Sequence, residues 1–329
     1  MFEGFGDTAR PVDRVRAADG RRFLSAVSAL TALLLALTAV VWTAAAGEDP
    51  GTPGPTADEA RASSTDTAGE PSGGTAADAL GEFGRSLRPS GQDALLANPL
   101  YGTGRLSPLP CPAPEPDVDA PEEMAEFLHA VTDCLDDAWA TQFARAGLPF
   151  EPPERVFWSE PGTSPCRAYP SAAGAFYCRA DTGVYIGVSD VVDKWHGTSE
   201  SVVYASLLAH EYAHHVQGES GLLEYYHEQR RLEDDVSDRN AWTRRSELQA
   251  NCLAGVFLGS VRVSYPLDEG DLATLLADAA ATADRADGAE EDRTHGSVDN
   301  SVRWTRTGWE QQTPGACNTW AEEDGSLVG

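Results

Sequence analysis

The sequence predicts an α+β domain, mostly helical with a small antiparallel or mixed sheet, behind one N-terminal transmembrane helix and a disordered linker. Three observations carry this expectation. Five stretches beyond residue 118 repeat apolar residues at helical spacing, one region between residues 150 and 193 reads as short strands, and the first 105 residues pair an uncharged apolar run with a long polar segment.

In chain order, residues 1–22 form a tail with five Arg against four acids. Residues 23–46 then hold no charge over 24 positions, long enough for a helix to cross a bilayer. The arginines before this run, with Glu48 and Asp49 after it, place the N-terminus in the cytoplasm and everything later outside the cell. Ala44, Ala45 and Ala46 also resemble a signal-peptide cleavage site. The apolar core of a signal peptide is normally about 7–15 residues, so an uncleaved single-pass anchor in the cell membrane is the favoured reading. Residues 47–79 contain no aromatic residue and no Val, Ile, Leu or Met, so they cannot bury enough apolar surface to offset ordering. Residues 80–105 add a few Leu and Phe but stay Gly-rich, and the whole of 47–105 reads as linker. The folded domain is then expected over residues 106–329.

Charge narrows the partners. The chain carries 52 acids against 24 Lys and Arg, a formal charge of -28. Residues 1–22 contribute +1 of this, leaving -29 on the rest, which repels nucleic acid and excludes it as a partner. Membrane contact is expected only through residues 23–46. All six cysteines lie beyond that segment, and an even count in an exported domain predicts disulfides. Cys166 and Cys178 flank an expected hairpin and are the first pair; Cys111 with Cys134 and Cys252 with Cys317 follow by elimination.

Within the domain, Pro108, Pro110, Pro112, Pro114 and Pro116 alternate around Cys111 in an extended segment. A helix is expected over 119–146, with Asp119 as its cap, Pro121 in its first turn and Met124, Phe127, Leu128, Val131, Leu135, Ala138 and Trp139 as its apolar stripe. Short strands are expected at 155–158, 175–178 and 183–188, the last two joined by the turn-like 179–182. Residues 184–188 are the candidate for a sheet edge that pairs with an extended substrate, with an ordinary interior strand as the alternative. Further helices are expected over 198–218, capped by Thr198 or Ser199, and over 241–261, 268–287 and 297–309. Residues 222–240 are strongly polar and read as an exposed helix and loop.

The helix over 198–218 carries the chemistry. It contains His210-Glu211-x-x-His214, and residues four apart on a helix share a face, so both imidazoles can serve one metal ion. Glu211 sits about 100° round from His210, placed to reach a water at that metal without ligating it. A zinc ion needs a third protein ligand. Residues Gln217 and Ser220 stand where an extended H-E-x-x-H-x-x-G-x-x-H motif would place Gly and His, so the ligand comes from further on. The candidates are His227, which reads as solvated, the acids between Glu219 and Asp238, and Glu247. Glu247 is the best, because it opens an otherwise apolar helix where an unpaired carboxylate is costly; the competing role is a salt bridge with Arg244. Asn251, one turn on, can accept the outer N–H of either histidine. His295, in T-H-G-S before a helix start, either stabilises an oxyanion or merely caps that helix. His215 and Tyr212 read as structural.

The blocks A-H-E-Y-A-H-H-V-Q (209–217), S-E-L-Q-A-N-C-L-A-G (246–255) and R-T-H-G (293–296), followed by Arg303 and Trp304, resemble the bacterial neutral zinc metallopeptidases. The resemblance spans about residues 106–320. It implies a zincin-like fold of the gluzincin type and one catalytic zinc ion held by His210, His214 and Glu247. That family usually reads E-L-Q-A-D-C in the second block, so Asn251 removes a negative charge behind the ligands; such changes alter affinity or activity about 10- to 100-fold. The resulting expectation is a membrane-anchored extracellular zinc metallopeptidase acting on peptide or protein substrates, with Glu211 as general base and His295 as an assisting residue. The alternatives are a zinc amidase acting on cell-wall peptides and a non-catalytic zinc- and disulfide-stabilised binding ectodomain. Oligomeric state is left open.

Overall fold

The computed structural model describes residues 87–170 and 174–329. The tail 1–22, the anchor 23–46 and residues 47–86 of the linker lie outside the described residues. Among the described residues no helix is long and apolar enough to cross a membrane.

The domain is mostly helical with a small mixed sheet. It opens with α1 (Asp93–Leu96) and a 3-10 helix at Pro99–Gly102. This corrects the linker boundary: residues 88–105 fold onto the domain instead of approaching it in extended form. Leu95 and Leu100 are buried, Arg88 pairs with Glu219 at 2.6 Å, and the Asn98 amide donates to the Ser220 carbonyl at 3.1 Å. Three leucines diluted among glycines are too few to signal a fold, and of the three only Leu95 and Leu100 are buried while Leu96 stays exposed.

Helix α2 (Pro121–Ala146) begins with Pro121 at its first position, and Gly147 at φ 69° closes it in the left-handed conformation that favours glycine. The expected apolar stripe is the face it buries. Asp119 does not cap it; the capping position is Ala120 and makes no side-chain bond. Strands β1 (Glu154–Trp158), β2 (Gly162–Thr163), β3 (Ala168–Tyr169), β4 (Ala175–Cys178) and β5 (Gly183–Gly187) follow. Among the described residues, β1, β5 and β4 form a sheet in that order, β5 parallel to β1 and antiparallel to β4, while β2 and β3 make a separate hairpin. The middle strand is therefore β5, every residue of it buried, and the edges are β1 and β4. The interior alternative for residues 184–188 is the one found, because burial on both faces needs the continuous apolar run Val184, Tyr185, Ile186.

Helix α3 (Val188–Lys194) leads to α4 (Ser201–Glu219), the motif helix, whose capping position is Glu200 rather than Thr198 or Ser199. Then come α5 (Leu222–Leu232), α6 (Val236–Val261), α7 (Glu269–Ala281) and α8 (Val298–Gln311). Helix α4 packs on α2, α6 and β4, and α6 packs along α8. The approach of α6 to α8 runs through glycines. A methyl group on Gly255 would meet the Thr305 carbonyl, one on Gly259 the Trp309 carbonyl, and one on Gly308 the Cys252 carbonyl. All six cysteines are paired, as Cys111–Cys134, Cys166–Cys178 and Cys252–Cys317.

Candidate metal centre

The site grows from one helical turn. One turn apart on α4, the rings of His210 and His214 have centroids 4.9 Å apart and planes at 88°. Helix α6, packed on α4, brings Glu247 to them: its Oε2 lies 3.2 Å from His210 Nε2 and 3.4 Å from His214 Nε2. These three donors lie within 4.8 Å of one another. Arg244 turns away from Glu247 to Glu290, 3.7 Å distant, and donates to the Arg293 carbonyl.

The outer ring nitrogens fix both imidazoles. His210 Nδ1–H donates to Asn251 Oδ1 at 2.8 Å, and His214 Nδ1–H donates to Gln217 Oε1 at 2.9 Å. With Nδ1–H bonded outward, each ring turns Nε2 toward Glu247, and Nε2 is the atom that can ligate once its own proton is given up. Gln217 is itself held, donating to the Ser246 carbonyl at 2.9 Å and to Gln249 Oε1 at 3.0 Å. Gln249 donates to the Tyr101 hydroxyl and the Cys317 carbonyl and accepts from the Trp320 indole. A buried amide chain thus runs from His214 to the Cys252–Cys317 disulfide. The sequence reading missed Gln217 and Gln249 in this role; the available signal was Gln217 lying three residues after His214 on the same helix face.

Electrostatics follow from the packing. Burial alone would lower the His214 imidazole, but the Glu247 carboxylate beside it outweighs burial and raises it to about 9. Burial would likewise raise Glu247, and His214 and His210 instead hold it well below the usual carboxylate range. Two imidazole nitrogens and a carboxylate oxygen, converging with their outer atoms already bonded, fit a zinc ion that keeps a position open for water or substrate.

The three donors and Glu211 floor a cleft of about 430 Å³ walled by Ala175, Phe176 and Tyr177 of β4 and by Leu223, Tyr226 and His227 of α5. Glu211 is buried at this floor, with 9% of its surface exposed. His227 is a correction to the solvated reading: it is half-buried at the cleft wall against Tyr226, and burial, with Arg179 and Arg230 nearby, lowers it to about 4. His295 is exposed and lines the same cleft. The cap of α8 is Ser297, so capping is not its role. Its loop is held by Asp284, whose carboxylate accepts the backbone N–H groups of Thr294, His295 and Gly296 at 3.0, 2.9 and 2.7 Å. His215 and Tyr212 are buried, His215 Nε2–H donating to the Glu151 carbonyl at 2.7 Å and the Tyr212 hydroxyl donating to Asp136.

The folded domain is similar to known proteins. A family model described as "Putative neutral zinc metallopeptidase" matches residues 109–320, which include every residue of the centre. The uncharacterized protein YpfJ of Escherichia coli (strain K12) is 32% identical over 213 residues, covering 61% of this chain and 73% of its own length. The uncharacterized protein Rv2575 of Mycobacterium tuberculosis is 30% identical over 193 residues, covering 53% of this chain and 64% of its own. No solved structure gives a significant match.

Proposed function

Because the chain belongs to the neutral zinc metallopeptidase family, we propose that it hydrolyses peptide bonds with one zinc ion held by His210, His214 and Glu247. The observation that carries this reading is the convergence of three donors within 4.8 Å, with Glu211 beside them at the floor of an open cleft. When bound, zinc supplies Lewis acidity to the scissile carbonyl and lowers the pKa of the attacking water toward about 7. Glu211 takes the proton from that water and delivers it to the leaving amine. Asn251 and Gln217 hold the two imidazoles with Nε2 turned into the site, so the rings need not rotate when metal enters and only the Nε2 proton has to leave. His295, on the loop gathered by Asp284, reaches over the cleft to donate to the oxyanion that forms as the carbonyl is attacked. The edge strand β4 forms a wall of the cleft, where an extended substrate can add to the sheet.

The proposal extends to location. The uncharged run 23–46 anchors the chain in the cell membrane, with residues 1–22 cytoplasmic and the catalytic domain outside. Three disulfides in a domain of this size support an oxidising compartment.

The test is the full chain beside its Glu211→Gln variant, assayed for metal content and against a library of peptides that includes cell-wall peptides. Stoichiometric zinc in both, with turnover lowered at least about 100-fold in the variant, is expected. Full turnover by zinc-loaded Glu211→Gln removes Glu211 from the mechanism, and cleavage confined to cell-wall peptides replaces the peptidase by an amidase.

A further inference from the structure

The lining of the cleft balances two arginines against two carboxylates, in a chain whose formal charge is -28. Overall there are 52 acids to 24 Lys and Arg, yet the acids lining the cleft are Glu211 and Glu247, both committed to the metal centre. The other formally charged side chains lining it are Arg167 and Arg179. Among the described residues neither arginine has a carboxylate within 4.0 Å. The acid nearest Arg179 in sequence, Asp181, is engaged elsewhere, accepting from the Tyr185 hydroxyl at 2.7 Å and the Gly183 N–H at 3.2 Å.

Both arginines are placed by the fold rather than left on a loose loop. Each follows one half of the Cys166–Cys178 disulfide, whose Cα atoms are 5.7 Å apart. The turn before Arg167 is held by the buried Ser164, whose hydroxyl accepts the N–H groups of Cys166 and Arg167 at 3.1 and 3.0 Å. The Arg167 guanidinium lies 4.7 Å from the centroid of Phe176, which is in the middle of edge strand β4, and Arg179 begins where β4 ends. A peptide laid along β4 therefore runs between two guanidinium groups whose fixed charge has no carboxylate partner among the described residues. His227, in the same wall, is neutral at physiological pH and leaves that charge to the arginines.

We propose that this site selects peptides presenting a carboxylate beside the bond to be cut, with Arg167 and Arg179 as its receptors. The inference rests on the peptidase reading above and names its substrate class. The carboxylate can be an Asp or Glu side chain or the free C-terminus of a short peptide; both offer the planar pair of oxygens that a guanidinium binds in bidentate fashion.

One parent peptide made in four forms tests it on the zinc-loaded full chain: neutral and C-terminally amidated, amidated with Glu scanned through the positions flanking the cut, amidated with Gln at the same positions, and neutral with a free C-terminus. The wild type should favour a carboxylate-bearing form over its neutral match by about five- to tenfold in kcat/KM, and the preference should shrink as salt is raised. Preference for Glu over Gln assigns the receptor to side chains; preference for the free acid over the amide assigns it to the C-terminus. Arg167→Gln combined with Arg179→Gln should bring the ratio to one, and Arg179→Glu should shift the preference toward Lys-containing peptides, which a merely structural role would not do. A ratio of one in the wild type, or an unchanged ratio in the double variant, overturns the proposal. Dissociation constants of the same peptides for zinc-loaded Glu211→Gln separate the two readings. If nothing is cleaved, the peptidase reading falls, while an arginine-dependent difference in affinity upholds the carboxylate site and equal affinities sink it.

Discussion

At the residue scale, neighbouring histidines on one helix do different work because their surroundings differ. His214 and His215 are adjacent, yet Glu247 raises the first to about 9 while burial lowers the second to about 4. His215 is fully buried, donates Nε2–H to the Glu151 carbonyl, and has no partner for Nδ1, so it is held neutral. In the unfolded chain its value returns to 6.5, so between those two values the unfolded state binds the extra proton and stability is lost as pH falls. The full loss below pH 4 is about 3 kcal/mol from this residue alone. Denaturant unfolding of wild type and His215→Gln at pH 7 and pH 4 should show the wild type losing more stability by about that amount. His215 was legible as structural because a residue next to a ligand on a helix points elsewhere. Its burial was not, since that depends on the aromatic rings of Phe150, Tyr177 and Tyr212 packed around it.

At the element scale, helices were legible because their periodicity is local. The expected 119–146, 198–218, 241–261 and 297–309 appear as Pro121–Ala146, Ser201–Glu219, Val236–Val261 and Val298–Gln311. The start of α6 was misplaced because its first turns are polar: Asp235 caps it, and the residues after it face solvent before the helix reaches the core. Helix α7 ends at Ala281, six residues short of the expected end, where the chain turns toward Asp284 and its grip on the 294–296 loop. Strand order was not legible, since alternation and apolar runs say which residues are buried and not which strand neighbours which. The close approach of α6 and α8 makes a sharp prediction. Adding one methyl group at Gly308 drives it into the Cys252 carbonyl, backbone against backbone with no flexible side chain to yield. Gly308→Ala should destabilise the domain by about 3 kcal/mol, measured by denaturant unfolding, while Gly325→Ala, with open space around it, should not.

At the scale of the whole molecule, the disulfides tie the metal centre to the rest of the domain. Cys252–Cys317 closes a loop of 65 residues and joins α6, which carries Glu247 and Asn251, to the C-terminal segment. Closing a loop of that length is worth about 4 kcal/mol. Cys317 also supplies the carbonyl to which Gln249 donates, at the far end of the amide chain from His214. The double Cys252→Ser, Cys317→Ser variant should therefore lose about 4 kcal/mol of stability. It should also hold zinc more weakly, read by competition with a chelator; unchanged zinc affinity would mean that the amide chain does not orient His214.

What the sequence determined by itself was whatever depends on near neighbours or on composition: the helices, the i, i+4 placement of His210 and His214, Glu247 and Asn251 one turn apart, the even count of cysteines, and the net acidic charge. What only the tertiary structure decided was whatever requires distant segments to meet. It set β4 rather than β5 at the edge, folded residues 88–105 onto the domain, ran an amide chain from His214 to Cys317, gathered the His295 loop onto Asp284, and placed Arg167 and Arg179 over the cleft. The physical reason is that a helix is specified by hydrogen bonds four residues apart, whereas an edge, a buried amide or an unpaired charge is defined by what packs against it from elsewhere in the chain.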